Sequence, residues 1–367
     1  MEKLEDVIEQ CRSQGVEVHC VGPSAVLGAN TGFHAYTDEK TDQEYLLPVT
    51  RGPDSATEER LRLDYWFLTR PPAQIMVRRG FRLPAWYGGP NLVGISSPFS
   101  PYALTRLALE TGGTYTILDD PKDRPPFDLD RMEAYLPNYR SADDYAANVA
   151  AHPLRRAVLQ SVRSTRGRTE LVIPPLLLFG TRSELPPYRF EAPYLSPSDF
   201  SRKLRTERAS LIRLAERTGR LVDQALEHVS LAGDIDQGME ELRGQEDSPR
   251  WRAWYDLTRG RLLAAHVRLE EYRLTCETLA DRDAINRTTN FLLFQPTRTM
   301  KSGPEFQRRA QEARQLLSRC VREHSGTPWS YLAQRELDYA WGITIQQHAL
   351  QATGAVPSRQ QPRLPNF

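Results

Sequence analysis

Two stretches with matching apolar spacing constrain this chain more than any other feature. In 204–229 the stripe runs through Leu204, Leu211, Leu214, Thr218, Leu221, Ala225 and Val229, widened by Ile212, Ala215, Val222 and Leu226. In 251–279 it runs through Trp251, Trp254 or Tyr255, Thr258, Leu262, Ala265, Leu269, Tyr272, Cys276 and Leu279. Alternating steps of three and four hold one seam against a partner helix, which a solitary solvated helix does not need. The pair is therefore predicted as an antiparallel hairpin across the acidic, Gly-containing stretch 230–250. Ser248–Pro249 is a good start for the second helix. Further helices are expected at 305–324 and at 327–342, the latter capped by Thr327 with Pro328 at its first position. Gly260 and Ala264 are small residues where two helices could approach, a weak tetratricopeptide-like feature without a fixed repeat period. The arginines of 202–220 and 250–273 alternate with Glu and read as the solvated side of long helices.

The first third of the chain has a different pattern. Leu4, Val7, Ile8 and Cys11 share one helical face, Gly15 ends that helix, and VEVHCVG at 16–22 reads as a strand. Residues 97–118 repeat the arrangement. Ser100 can cap a helix with Pro101 in its first turn, Leu104, Leu107 and Ala108 form the buried stripe, and Gly112 can take positive φ to stop it. TYTIL then reads as a second strand. Two helix–strand units predict parallel strands in an open α/β sheet. The insert between them, 23–100, reads as mostly irregular, with strand candidates at 44–49 and 61–68, a turn at 52–55 and a packed aromatic loop around Trp86 and Tyr87. A linker at 119–128 leads to short helices at 128–136 and 141–163, the second region broken at His152–Pro153. The apolar PPLLLFG at 174–180 and the proline-rich 184–199 are expected to dock across the helical part. The expected organisation is thus an α/β domain at 1–118 with its insert at 23–100, a linker with short helices at 119–200, a helical domain at 201–349, and a disordered tail at 350–367.

Composition narrows the function. Lys plus Arg is 48 against 47 Asp plus Glu, a net charge of +1, so the basic footprint of a nucleic-acid binder is missing. The best apolar run, LVIPPLLLFG at 171–180, is short of the roughly 20 residues of a membrane helix and holds two prolines. The N-terminus has no apolar core of a signal peptide. Cys11, Cys20, Cys276 and Cys320 form no CxxC pair, so neither a disulfide framework nor a zinc ribbon is indicated, and a reducing, cytoplasmic setting is the mild expectation.

Catalytic motifs are sparse. GPSAVLGANTG at 22–32 follows a strand but is neither GxGxxG nor GxxxxGK[ST], and Lys40 is too distant to serve as a phosphate-loop lysine. There is no HExxH and no GxSxG. The histidines are scattered: His19 in a strand, His34 in a Gly-rich loop, His152 before a proline, His266 beside the seam, and His324 near a helix C-terminus. An enzyme reading would draw on Cys20, His34 and Asp38 as nucleophile and base in the 20–40 region.

GVEVHCVG after a helix, followed later by LTRLALETGGTYTI, resembles the second half of a von Willebrand factor type A domain. More widely, VGPSAVLG, RGPDS, WYGGPNL, SPFSPYALTRLALETGG, RWRAWYDLTRGRLLAAHVRLEEY, TMKSGPEF and EHSGTPWSYLAQREL resemble planctomycete proteins that join a type A domain to a helical tail. The resemblance implies a partial, Rossmann-like open sheet whose first four strands are not encoded in this chain. It also implies loss of the metal-ion-dependent adhesion site, because no DxSxS loop occurs; Asp119 and Asp120 do not replace it. The expected function is a non-enzymatic protein-interaction or scaffold protein with no catalytic residues, cofactor or metal, binding proteins and self-associating through an exposed sheet edge. The alternative is a hydrolase-type enzyme with its site in 20–40.

Overall fold

The structure is a computed structural model that describes residues 2–22, 24–25, 31–50, 99–118, 127–164, 177–179, 196–230, 238–280, 284–338 and 340–349. The strand expected at 61–68, the turn at 52–55, the loop around Trp86 and Tyr87, and the tail at 350–367 lie outside these residues.

The two helix–strand units are present as a pair. Helix α1 (Glu2–Ser13) leads to β1 (Cys20–Gly22), and α2 (Tyr102–Glu110) leads to β4 (Tyr115–Ile117). The two strands run parallel, with Cys20 opposite Tyr115 and Gly22 opposite Ile117. The helices are tied by Arg106, which is 6% exposed and ion-paired to Glu5, donating to its Oε2 at 2.6 Å. Strand β1 is shorter than the expected 16–22, because Val18 spends its amide on Thr111 Oγ1 at 3.1 Å instead of on a ladder. Ser100 does not cap α2. Its hydroxyl pairs with Tyr139 Oη at 3.2 Å, and Thr105 Oγ1 bonds back to the Pro101 carbonyl.

The Thr-Gly-Gly turn after α2 has a steric reason. Gly112 sits at φ +84°, a region that favours glycine. At Gly113 a Cβ would lie 1.9 Å from the Val18 carbonyl oxygen, so only hydrogen allows the β1 and β4 segments to meet. Gly113→Ala is therefore expected to cost about 3 kcal/mol or to unpair the two strands. Hydrogen exchange at 18–22 checks it; unchanged protection would show that the backbone relieves the clash cheaply.

Within the insert, β2 (Thr31–Asp38) and β3 (Gln43–Thr50) form an antiparallel hairpin. The expected strand at 44–49 is thus present, paired with one in a stretch read as irregular.

The helical region begins at α3 (Leu129–Met132), which runs on as a 3-10 turn through Tyr135, with α4 (Ala142–Ala151) and α5 (Pro153–Ser164) next. The break between the last two falls at His152–Pro153, as expected. The bundle consists of α6 (Pro197–Ser230), the short α7 (Met239–Gln245), α8 (Pro249–Thr278), α9 (Pro304–Glu323) and α10 (Pro328–Leu337). Thr327 forms a capping box with Ser330 at the start of α10.

Helix α8 is the axis. Helix α6 runs antiparallel along it, with Gly219 against His266, and α9 runs antiparallel on another side, with Leu316 and Leu317 against Gly260. A Cβ at Gly260 would come within 2.8 Å of Leu317 Cγ, so the small residue sets this close approach. Helix α10 runs parallel to α8, placing Trp329 on Trp254 and Glu336 on Arg268. The expected hairpin is therefore one side of a helix that is enclosed nearly all round. This overturns the solvated reading of its arginines: Arg250 and Arg268 are 2% and 3% exposed.

A three-stranded sheet flanks the bundle, with β6 (Phe291–Thr297) between β5 (Leu177–Phe179), parallel to it, and β7 (Gly342–His348), antiparallel. Residues 327–342 are expected as one helix. Instead α10 stops at Leu337. Gly342, where a Cβ would lie 2.1 Å from the Thr299 carbonyl oxygen, opens a strand. The architecture is a mixed α/β region with small open sheets followed by a long helical bundle.

Candidate functional site: a buried charge cluster on the bundle axis

Enclosing α8 forces its charged residues to find partners, since an unpaired buried charge is costly. Five groups result. Arg250 stacks on Trp254 with its Cζ 4.2 Å from the ring centroid, lies within about 5 Å of the Phe99 and Trp329 rings, and donates to the Tyr135 carbonyl at 2.8 Å. It joins the segment around Phe99 to the bundle through one core. Glu336 receives Arg268 and Arg261. Glu271 accepts the amides of Lys301 and Ser302, each at 2.8 Å, and so fixes the entry to α9. His266 pairs with Asp223 at 3.0 Å beside Arg309.

The fifth and densest group surrounds Asp256, which is fully buried. Arg243 of α7 donates to its Oδ1 at 3.0 Å and its Oδ2 at 2.7 Å. Arg319 of α9 approaches the same carboxylate at 2.5 Å and reaches on to Glu240 at 2.6 Å. Arg243 also donates to Glu323 at 2.5 Å, so one guanidinium bridges two carboxylates. His324, the residue after α9, is 3% exposed, and its Nδ1 pairs with Tyr135 Oη at 2.7 Å. Its Nε2 is buried with no hydrogen-bond partner. Asp256, Glu323 and His324 each offer a ligand atom within 4.8 Å of the others.

Burial raises the Asp256 carboxyl against the opposing pull of Arg319 and Arg243. Burial would also raise Glu323, but Arg243 holds it below the usual carboxylate range. The His324 imidazole is pushed down to about 4, first by burial and then by the charge of Arg243. At neutral pH the cluster thus holds a neutral imidazole beside an ionised carboxylate.

The lowered imidazole has a sign. Between the ordinary histidine value of about 6.5 and about 4, the unfolded chain takes up a proton that folded His324 refuses. Stability is full above that window and falls as pH drops through it, by about 2 kcal/mol at pH 5. His266, lowered by burial first, adds in the same direction. Urea midpoints at pH 7.5 and pH 5 measure the loss, and His324→Gln is expected to shrink the difference. An unchanged difference would exclude His324 as its source.

The residues singled out in 20–40 are placed separately. Cys20 is half-buried in β1, and His34 stands in β2 opposite Leu47 in the hairpin register. Asp38 closes the hairpin turn: its carboxylate accepts from the Lys40 amide and from Thr41 Oγ1, both at 2.9 Å, and these bonds hold it below its ordinary range. Asp119 and Asp120 lie outside the described residues. All four cysteines are free, and burial pushes the Cys276 thiol up to about 12, which makes it a poor nucleophile.

Sequence reasoning missed the cluster around Asp256, although one signal was present. Asp256 is a lone acid inside the run Trp254, Tyr255, Leu257, on the stretch with the strongest apolar spacing. Comparison with protein-family models, curated proteins and solved structures finds no match to this chain.

Proposed function

We propose that the chain is a non-enzymatic interaction or scaffold protein whose α/β unit, type A-like but without the DxSxS metal loop, presents an unfinished sheet to protein partners. The observation that carries this reading is the distribution of exposed apolar side chains. Val7, Val16, Val21, Leu104, Leu109 and Leu118 all belong to this unit, and only Leu136 of the exposed large hydrophobics lies elsewhere among the described residues. Val21, in the middle of β1, and Leu118, just after β4, are 65% and 64% exposed. Parallel strands ordinarily lie inside a sheet covered on both faces, and an open edge pairs with what it meets. Support for the type A likeness comes from the two helix-then-strand units, their parallel pairing, and the Thr-Gly-Gly turn.

No helix among the described residues is long and apolar enough to cross a membrane. The test is Val21→Asp with Leu118→Asp, read by light scattering and by urea unfolding. Self-association should drop while stability stays within about 0.5 kcal/mol, as for exposed positions. A large stability loss with unchanged association would mean that these side chains are not a contact surface.

A second reading, a hydrolase-type enzyme, is favoured by the clustering of Asp256, Glu323 and His324. Its centre would then lie in the bundle and not in 20–40. Hydrolysis of activated esters and phosphoesters that is lost in His324→Gln would support it, and turnover retained in that variant would count against it.

A further inference from the structure

We propose that Asp256, Glu323 and His324 form a binding site for a divalent transition-metal ion of the zinc class, which enters in exchange for the guanidinium of Arg243. The three donors come from two helices packed on each other: Asp256 from the N-terminal third of α8, Glu323 from the last residue of α9 and His324 from its C-cap. Their ligand atoms already lie within 4.8 Å of one another, and donors about 2.1 Å from one tetrahedral ion lie roughly 3.4 Å apart, so small side-chain movements bring them together when the ion replaces the guanidinium. The donor set is one imidazole and two carboxylates. Imidazole selects zinc and its neighbours over magnesium and calcium, which prefer all-oxygen cages. Three protein ligands leave the fourth position of a tetrahedral ion open to water.

Two further observations point the same way. His324 is almost fully buried, and its Nε2 has no hydrogen-bond partner; in the tautomer whose Nδ1–H donates to Tyr135, the Nε2 lone pair is left for an ion. A second partner on the far nitrogen is what orients a metal-bound histidine. The place between the carboxylates is also already built for positive charge, since Arg243 bridges Asp256 and Glu323 there. Arg319 stays on Asp256 when Arg243 leaves, and Glu240, which also pairs with Arg319, keeps the charge near balance. Glu323 is 38% exposed at its side chain and gives the ion a route in from solvent. The absence of a DxSxS loop does not bear on this site, because that loop serves a magnesium-type ion on a different part of the fold.

The inference is independent of whether the chain is a scaffold or a hydrolase, and its test reads binding without turnover. The tag-free, chelator-stripped full chain is titrated with Zn²⁺ and with Mg²⁺ by calorimetry, and with Co²⁺ by visible absorption. Saturable one-to-one Zn²⁺ binding, tetrahedral Co²⁺ bands and no Mg²⁺ heat are expected. His324→Gln should weaken Zn²⁺ binding by at least about tenfold. Arg243→Met, which leaves Asp256 paired to Arg319, should strengthen it by a similar factor. Absence of saturable binding in both the native chain and Arg243→Met would overturn the proposal, as would native affinity in His324→Gln. Binding confined to Arg243→Met would overturn it too, because the guanidinium would then be the cation this site keeps.

Discussion

Asp256→Asn is expected to destabilise the metal-free chain by about 3–5 kcal/mol, the range for breaking a buried ion pair from one side. The amide keeps the shape of the carboxylate and removes only its charge. Arg243 and Arg319 both lose the buried anion they share, and an amide nitrogen now faces guanidinium donors. Arg319 keeps the more exposed Glu240, and Arg243 keeps Glu323, so the two arginines are not stranded entirely. That residual pairing argues for the lower half of the range. Urea unfolding of chelator-treated protein gives the number. Arg243→Gln combined with Asp256→Asn should cost less than the sum of the single changes by more than about 0.5 kcal/mol, because the two side chains share one interaction. A loss below about 1 kcal/mol for Asp256→Asn would mean that the cluster adds little to the fold.

Local signals in the sequence survived contact with the structure better than long-range ones. The cap at Thr327, the proline starts of α8 and α10, and the break at His152–Pro153 each depend on residues within one helical turn, and each is where expected. The parallel pairing of β1 and β4 was also legible, since two helix–strand units allow few other arrangements. What spacing cannot show is a partner far along the chain. Arg268 and Glu336 are separated by 68 positions and Asp256 and Arg319 by 63, so periodicity alone placed the arginines of α8 in solvent. The sheet beside the bundle was hidden for a related reason. FLLFQPT at 291–297 is a short apolar run holding a proline, and it becomes a strand only because 177–179 and 342–348 flank it. His324 stands at a helix C-terminus, where a charged ring would be favourable, but burial and Arg243 keep it neutral.

The seam on α8 gives the sharpest remaining test, because two packings predict different outcomes for adjacent residues. Leu262 is fully buried, and Leu262→Ala is expected to cost about 2–5 kcal/mol. A simple hairpin with α6 would predict the same, since Leu262 lies on the seam read from sequence. Leu263 and Val267 separate the cases. They sit off that seam and would face water in a two-helix hairpin, yet they are 5% and 0% exposed. They are covered because α9 and α10 close the remaining sides of α8. Leu263→Ala is therefore expected to cost at least about 2 kcal/mol, within the range for a buried leucine truncated to alanine. Val267→Ala should cost somewhat less, since two methyl groups are removed and not three carbons. Unfolding in urea, with unchanged slope, measures all three. A loss at Leu262 with less than about 0.5 kcal/mol at Leu263 would restore the hairpin with a solvated far side. The arginines of α8 would then be surface residues, and the charge cluster around Asp256 would no longer be buried, so this one comparison of neighbouring leucines bears on the fold and on the proposed metal site together.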